Sequence, residues 1–374
     1  MSNSEIESWC DETLPELYDE GMFDCEEISE EVWAAVETAM EPLLEADPEL
    51  AETMQIAATN WFRTQHELLL NTLQPTSVQA LCNRPQIVQH TADWYAQRRH
   101  RLTASEFSQI LDGRRGALLR QKLSTAVNEH FGAAPVGIAQ ADGEMNATTW
   151  GHRFESLTRR IYELEIAGVG TVCDTLGRFT HPTIPWLSAS PDGVVMRGAL
   201  QGRLVEIKSP KTRQPGEFVP YEYYVQMQVQ MEVCDVESVE FVEAQFAQRP
   251  IDAMTIGDHT AVAKARWKGE IEVRGHLEDS STWTYRYTEP VEDSHEAVFQ
   301  TEVDAPVLEH SVWWLTGWYP RTVLRNRGWW TTIGKPAAEA FWAEVCARKE
   351  GSKEEKIEEV EETEETEAVG WIGS

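Results

Sequence analysis

The feature that most constrains the fold is a short apolar run that contains two charged residues. Leu204, Val205 and Ile207 form the run, and Glu206 and Lys208 flank the isoleucine. Successive side chains of a β-strand point to opposite faces of the sheet, so Glu206 and Lys208 would share one face. Charges on a partly buried face are costly unless they are paired or bind a metal ion. The pattern leaves two interpretations, an edge strand with a surface ion pair or a strand that carries a functional site.

The negative charge of the chain is concentrated at its two ends. Residues 1–62 contain 18 acidic residues and no Lys or Arg, and residues 350–367 contain 10 Glu and two Lys. These segments hold −26 of the net charge of −31, which leaves −5 for the rest of the chain. The middle of the chain is therefore compatible with nucleic-acid binding, whereas the acidic ends should repel a polyanion or solvate the protein.

The cysteines and the first residues indicate a compartment. The six cysteines are scattered and form no C-x-x-C pair, which argues against a zinc site, an iron–sulfur cluster or a disulfide framework. The sequence begins without the basic and apolar regions of a signal peptide, and no stretch approaches 18 apolar residues. We expect an intracellular protein in a reducing compartment, with no membrane partner.

The hydrophobic periodicity predicts helices first and strands later. Residues 29–73 have helical spacing, with breaks expected near Pro42 and Pro48, and residues 147–168 form an amphipathic pattern. From there the period shifts towards two, interrupted by one more helical segment at residues 221–234. A block rich in tryptophan near the end of the sequence is typical of a strand and a helix packed onto the core; base stacking is the alternative.

A set of carboxylates in this order suits phosphodiester cleavage. Glu155 lies in a predicted helix, Asp192 at a predicted strand end, and Glu206 and Lys208 on the next strand. Carboxylate oxygens are the ligands that Mg²⁺ prefers, and such ions activate water and neutralise charge on phosphate. A lysine acting as a base would need its pKa lowered from about 10.4. We therefore expect Lys208 to position the nucleophile rather than to deprotonate it.

Four segments in order resemble one nuclease family. The segments "WYAQRRHRLTASEF", "WGHRFE", "SASPDG" with "LVEIKSP", and "YYVQMQVQ" resemble motifs of the lambda-exonuclease/YqaJ-like viral recombinase family, part of the PD-(D/E)xK nuclease superfamily. The resemblance implies an α/β fold with a PD-(D/E)xK restriction-endonuclease-like core. Its mixed central sheet would be flanked by helices, with the acidic site at the open edge of the sheet. Three regions are predicted. Residues 1–85 form an acidic helical N-terminal region, residues 86–348 the nuclease domain, and residues 349–374 an acidic, disordered tail.

The resemblance also implies roles for individual residues around two Mg²⁺ ions, for which Mn²⁺ would substitute. Asp192 would bridge both ions, Glu206 and the Ile207 carbonyl would hold one, and Glu155 would hold or orient the other. Lys208 would position the nucleophile. Gln226 would contact the active site from the next helix, with Gln228 as the alternative. Lambda-type members have a further acidic residue ten positions before the aspartate, where this sequence has Pro182.

A second implied site would bind the 5′-phosphate of a DNA end. Arg98 and Ser105 match the family's residues for this role. A helix that begins near Thr103 suits an anion, and "TASE" is typical of a capping box. Alternatively, Arg98 belongs to a solvated basic cluster with Arg99 and Arg101. The alternative for Ser105 is an ordinary residue at the start of a helix.

The implied function is Mg²⁺-dependent DNA cleavage. The family suggests 5′-to-3′ exonuclease action on double-stranded DNA ends, which leaves 3′ single strands for recombination or viral DNA processing. The expected partners are duplex DNA ends and a single-strand annealing protein, in the cytoplasm or nucleus of the host cell if the chain is viral. Two alternatives stay open, an endonuclease of the same superfamily and an inactive scaffold that binds DNA ends. The sequence does not set the oligomeric state.

Overall fold

The computed structural model describes most of the chain. The described residues are 1–17, 30–72, 77–89, 91–124, 147–215, 218–276, 279–290 and 304–350. Most of the tail that the sequence predicts to be disordered, residues 351–374, lies outside them. The boundaries predicted at residues 85 and 348 stay predictions.

The N-terminal helices enclose an apolar cluster of their own. They are α1 (Asn3–Leu17), α2 (Glu30–Ala46) and α3 (Ala51–Thr72), with a short 3₁₀ turn between the last two. The cluster includes Ile6, Leu14, Val36, Met54 and Phe62. Their burial explains why the helices pack together, since apolar area removed from water stabilises a fold by roughly 25 cal/mol per Å².

One expected break in this region is wrong. The break near Pro48 is confirmed, because α2 ends at Ala46 and a 3₁₀ turn begins at Pro48. Pro42, however, lies inside α2, which continues for four more residues. A proline removes one backbone hydrogen bond and strains the preceding turn, and here the helix tolerates it close to its C-terminus.

Short helices and short strands then alternate along the chain as far as Ala189. The helices are α4 (Val78–Cys82), α5 (Ala92–Arg98), α6 (Ala104–Leu111), α7 (Arg115–Leu123) and α8 (Ala147–Tyr162). The strands among and after them are β1 (Gln86–Ile87), β2 (Leu102–Thr103), β3 (Val172–Cys173), β4 (Arg178–Thr180) and β5 (Leu187–Ala189). A π-helical turn extends α8 over Glu163–Ala167, so the predicted helix of residues 147–168 is confirmed.

The C-terminal half supplies most of the main sheet. Its strands are β6 (Gly193–Val195), β7 (Leu204–Lys208), β8 (Ser238–Pro250), β9 (Lys268–His276), β10 (Asp279–Tyr287) and β11 (Val307–Leu324). The helices are α9 (Tyr221–Cys234), α10 (Ile256–Lys264), α11 (Arg327–Trp329) and a last helix, α12, of residues 335–350.

The strands form two sheets within the described residues. The larger has the order β10-β9-β11-β8-β7-β6-β3, and the smaller has the order β1-β4-β5-β2. In the larger sheet β7 runs parallel to β8 and antiparallel to β6. The helix α9 connects β7 to β8, as a crossover between parallel strands requires. The fold is thus a mixed α/β fold with a mixed sheet.

The two faces of β7 are covered by different parts of the chain. Val205 and Ile207 pack with Tyr162 of α8, while Leu204 belongs to the cluster that contains Met227 of α9. Since β7 lies between β8 and β6, the interpretation as an edge strand with a surface ion pair is wrong. The expectation that Glu206 lies at an open edge is wrong for the same reason.

Five tryptophans of the C-terminal block lie in the core, and a sixth, Trp318, is half-buried against it. Trp313, Trp314, Trp329, Trp330 and Trp342 are all buried. The Trp342 ring on α12 stacks on Trp186, with centroids 5.3 Å apart. This confirms packing of the last strand and helix onto the core rather than a stacking platform for bases. None of the helices in the described ranges combines the length and the apolar character that a membrane span needs.

Candidate active site

The site begins where the chain enters β6. Asp192 directly precedes this strand, and its Oδ2 accepts a hydrogen bond of 2.8 Å from the backbone N–H of Ile207 on β7. The next residue is a glycine, Gly193, because β3 passes too close for a larger side chain. A Cβ at this position would lie 2.9 Å from Val172 Cγ1 and 3.0 Å from the Cys173 carbonyl oxygen. The close packing of β3 on β6 thus accounts for the glycine of "SPDG".

Glu206 lies next to Asp192 and is held by three donors. Its carboxylate is 1% exposed. Oε1 accepts hydrogen bonds from Lys208 Nζ and from Gln226 Nε2, the latter at 2.6 Å. Oε2 accepts one from Gln230 Nε2, also at 2.6 Å. The strand alternation that places Glu206 and Lys208 on one face is therefore observed, and α9 covers this face with amide groups.

Lys208 is charged and its surroundings keep it so. Burial opposes its charge, but the carboxylates of Glu206 and Asp192 outweigh burial and raise the pKa of Lys208 above its ordinary value. Its ammonium also lies 5.1 Å from the centre of the Tyr223 ring, a cation–π arrangement. A protonated lysine suits positioning and charge stabilisation better than base chemistry.

A second cation borders this face. Arg213 pairs with Glu243, which lies beside Lys208 in the register of β7 and β8. The Arg213 guanidinium lies 5.5 Å from the centre of the same Tyr223 ring. Lys208 and Arg213 therefore flank one aromatic side chain at the rim of the site.

Negative charge is crowded around Asp192. Burial first, and then the charges of Glu206 and Glu155, raise the pKa of Asp192 well above its ordinary value, against the opposing effects of Lys208 and of the Ile207 N–H. Glu155 is half-buried on α8, and its carboxylate lies 3.6 Å from Nδ1 of His152. His152 is exposed on the helix surface, as its sequence context indicates.

The donor set suits an oxygen-seeking divalent ion in its chemistry. Glu155, Asp192 and Glu206 supply carboxylate oxygens, which Mg²⁺ and related ions prefer. A cation would also offset the repulsion that raises the pKa of Asp192. The three carboxylates do not form a preformed metal site. Within the described residues no group of three or more His, Cys, Asp or Glu side chains is arranged to hold an ion.

The two residues predicted to bind a 5′-phosphate come from neighbouring helices, Arg98 from the end of α5 and Ser105 from the first turn of α6. Thr103 is the N-cap, and Glu106 reaches back to its backbone N–H at 3.2 Å, so the predicted capping box is confirmed. Ser105 is exposed, and its hydroxyl lies 3.3 Å from that of Thr103. The side chain of Arg98, 26% exposed, donates from Nε to Glu106 Oε1 at 2.9 Å. The structure thus brings Arg98 to the N-terminal turn of the helix that carries Ser105.

Glu106 is a buried carboxylate between two cations. Lys122 Nζ donates to Glu106 Oε2 and to the Arg98 carbonyl oxygen, both at 2.7 Å. Burial opposes both charges of the pair. For Glu106, the attraction of Lys122 and Arg98 outweighs burial, and the pKa of the carboxyl group is lowered. For Lys122, burial outweighs the attraction of Glu106, and the pKa of the ammonium group is lowered as well. Arg98 and Lys122 thus approach the two oxygens of one carboxylate.

Trp94 connects this cluster to the loop of Asp192. Its indole N–H donates to Ser190 Oγ at 3.2 Å, two residues before Asp192. Arg178 stacks on the Trp94 ring at 4.4 Å and donates to the Trp94 carbonyl oxygen at 2.6 Å. The segments "WYAQRRHRLTASEF" and "SASPDG" are therefore neighbours in space, although about 100 residues separate Trp94 from Asp192 in sequence.

Sequence reasoning missed two residues that contact the site. Gln230 binds Glu206 directly, and Tyr223 lies under Lys208. The signal for Gln230 was its position four residues after Gln226, since residues four apart share one face of a helix. Gln228, the alternative to Gln226, instead bonds to the backbone of Leu324 and Asn326.

A match to a protein family agrees with the motifs. Residues 93–237 match the YqaJ-like viral recombinase domain. The crystal structure of an alkaline exonuclease, LHK-Exo, from Laribacter hongkongensis is similar to this chain with a TM-score of 0.41 and 20% identity, over 72% of this chain and 99% of that one. LHK-Exo in complex with dAMP gives a TM-score of 0.38, with the same identity and coverage. A comparison with curated proteins found no match.

Proposed function

We propose that this chain is a deoxyribonuclease of the YqaJ-like viral recombinase family and that it degrades double-stranded DNA from its ends with Mg²⁺ as its cofactor. The strand direction would be 5′ to 3′, so that 3′ single strands remain for recombination or viral DNA processing. Such strands would be the substrate of a single-strand annealing partner. The sheet around β6 and β7 would be a PD-(D/E)xK core.

One observation carries the catalytic part of this proposal. Asp192, Glu206 and Lys208 converge where β6 and β7 pair, through the Ile207 N–H bond to Asp192 and the contact between Lys208 and Glu206. An acidic pair beside a protonated lysine is an arrangement that suits hydrolysis of a phosphodiester, because the substrate and the attacking water both need charge stabilisation.

The proposed roles follow from the chemistry of each side chain. Asp192, Glu206 and Glu155, with the Ile207 carbonyl, would hold two Mg²⁺ ions, for which Mn²⁺ would substitute. When bound, these ions supply activation of water and neutralisation of phosphate charge. Lys208 would orient the attacking water as a hydrogen-bond donor. Gln226 would keep the Glu206 carboxylate in place through its bond to Oε1.

The preference for DNA ends depends on the cluster at α6. Arg98 and Ser105 would bind the terminal 5′-phosphate, and a guanidinium suits phosphate oxygens better than an ammonium does. The position of Ser105 in the first turn of α6 supports this role, because the free N–H groups of a helix N-terminus attract anions. Glu106 would hold Arg98 until a phosphate replaces that contact.

The test is a cleavage assay on matched DNA substrates. Wild-type protein is incubated with linear, nicked and covalently closed circular duplex DNA, with Mg²⁺ or with EDTA. We expect digestion of the linear DNA alone, a dependence on Mg²⁺, and products with 3′ single strands. Efficient cutting of closed circles would favour an endonuclease instead. Binding of DNA ends with no cleavage under any condition would favour an inactive scaffold.

A further inference from the structure

We infer that Gln230 is a positioning residue that fixes the Glu206 carboxylate for its metal ion. The inference rests on the proposed function and deepens it. Gln230 Nε2 donates to Glu206 Oε2 at 2.6 Å, and the two side chains are 0% and 1% exposed. A hydrogen bond to an ionised acceptor is stronger than one between neutral groups, and no bulk water competes for this one.

The other end of the amide is left unsatisfied. Gln230 Oε1 is buried, and among the described residues it has no hydrogen-bond partner. Burying an acceptor without a partner is unfavourable, and such groups are rare in folded proteins. The orientation of the amide is therefore dictated by Glu206 and not by the needs of the glutamine. This is the pattern expected when a side chain is kept for what it does to its neighbour.

Gln228 shows what a purely structural glutamine looks like on the same helix. Its amide is buried too, but both ends are satisfied, with Nε2 donating to the Leu324 carbonyl oxygen and Oε1 accepting from the Asn326 N–H, each at 2.7 Å. It ties α9 to the end of β11 and has no bond to Glu206. The two glutamines thus differ in partner while sharing helix, burial and chemistry.

Gln230 acts on the oxygen of Glu206 that the other donors leave free. A carboxylate has about four lone-pair positions, two on each oxygen. Lys208 and Gln226 both donate to Oε1, whereas Gln230 is the donor that the described residues provide for Oε2. Loss of Gln226 would leave Lys208 on the same oxygen. Loss of Gln230 would leave Oε2 unheld, so the carboxylate could rotate out of the orientation in which it binds a cation.

The test measures metal affinity in the full chain, with Gln230→Met and the matched control Gln228→Met. Mn²⁺ alone is titrated into each protein by calorimetry, and folding is monitored by circular dichroism and urea unfolding. We expect Gln230→Met to bind Mn²⁺ more weakly, with a Kd about 10- to 100-fold higher than that of the wild type. This is the usual effect of removing a partner that orients a metal ligand. Gln228→Met should lose unfolding stability and keep the wild-type Kd. Gln230→Asn keeps the amide on a shorter side chain and should raise the Kd for Mn²⁺ as Gln230→Met does. It replaces Gln230→Met in the test if that variant does not fold.

Three results would overturn the inference. A wild-type Kd in folded Gln230→Met or Gln230→Asn would show that Glu206 needs no such support. Equal weakening in Gln228→Met would show that the effect comes from packing of α9. Failure of the wild type to bind Mn²⁺, or an unchanged Kd in Asp192→Asn, would refute the proposed metal site itself and the inference with it. The Asp192→Asn result distinguishes this failure from the first two.

Discussion

The backbone N–H of Ile207 donates to Asp192 Oδ2 at 2.8 Å, and this bond joins the loop aspartate to the strand of Glu206 and Lys208. The contact comes from the one residue between the two charged side chains. Because side chains alternate along β7, Ile207 buries its own side chain on the opposite face with Tyr162. One strand thus anchors the core on one side and arranges an acidic site on the other.

Asp192→Asn should abolish DNA cleavage. Asparagine keeps an oxygen that can accept from Ile207, so the change removes the charge and leaves the loop in place. Loss of one carboxylate should also relieve the repulsion that raises the pKa of Asp192, so unfolding stability should be equal or higher. The measurements are cleavage of linear duplex DNA, DNA binding and urea unfolding. Activity within about tenfold of wild type, roughly 1.4 kcal/mol, would refute the assignment.

Lys208→Ala should slow cleavage without weakening metal affinity. The variant loses the donor proposed to orient water, but it also removes a positive charge that pairs with Glu206. A calorimetric titration with Mg²⁺ beside single-turnover cleavage separates the two effects. If the binding isotherm disappears, Lys208 has a role in folding of the site rather than in chemistry.

Arg98→Ala should discriminate between DNA ends. Removing a charge-assisted contact should cost about 1.5–3 kcal/mol on 5′-phosphorylated ends, and it should matter little on 5′-hydroxyl ends, where the contact is absent. The assay compares wild type and variant on both kinds of end. Arg99→Ala, a change of the next arginine in sequence, is the control and should affect both ends alike. Equal losses on both ends in Arg98→Ala would mean a general attraction to the DNA backbone.

Glu106→Gln should destabilise the fold. Glutamine can still cap α6 through its amide oxygen, but its NH2 group cannot accept a hydrogen bond, so the change removes the charge and one acceptor. Lys122 would remain buried, at 2% exposure, without its carboxylate, which costs about 3–5 kcal/mol. Urea unfolding at neutral pH measures this loss. Asp112→Asn, which breaks the exposed pair with Arg114, is the control and should lose far less, because exposed ion pairs contribute little.

The stability difference between the wild type and Glu106→Gln should depend on pH. Because Lys122 and Arg98 outweigh burial, the pKa of Glu106 in the folded protein is lowered from its ordinary value of 4.5. Its stabilisation is therefore fully present above pH 4.5 and is lost as the pH falls through the lowered pKa. The stability gap between wild type and Glu106→Gln should narrow in that acidic range. A gap that widens there would contradict the direction of the shift.

Removal of residues 350–374 should leave the chemistry intact. The deletion takes away a net charge of −8 and no predicted site residue. DNA affinity should stay equal or rise, most visibly at low salt, where charges are least screened. Cleavage and DNA binding at two salt concentrations are the measurements. A folded truncation without cleavage would show that the tail has a catalytic role.

The sequence predicted the elements whose pattern is local. The helix α9, the alternation along β7 and the capping box at Thr103 depend on residues close in sequence, and the structure has all three. The burial of the C-terminal tryptophans also followed from composition and periodicity. Local propensity and hydrophobic spacing suffice for such features.

What the sequence did not predict depends on contacts between distant segments. The interior position of β7 results from pairing with β8 and β6, which no pattern within residues 204–208 specifies. The pair of Glu106 and Lys122 forms because α7 packs beside α6. The bond from Gln230 to Glu206 needs the rotation of α9 about its axis to be fixed by packing. Residue type alone did not separate Gln228 from Gln230.

The placement of the site residues has a consequence for the order of folding. Asp192, Glu206, Lys208, Gln226 and Gln230 lie in one continuous segment, while β8 pairs with β11 across a much longer stretch of chain. Closing long loops slows folding, so local contacts should form first. We therefore expect β6, β7 and α9 to gain protection before the pairing of β8 with β11 is complete. Pulsed hydrogen exchange during refolding would measure this order, and simultaneous protection of both regions would contradict it.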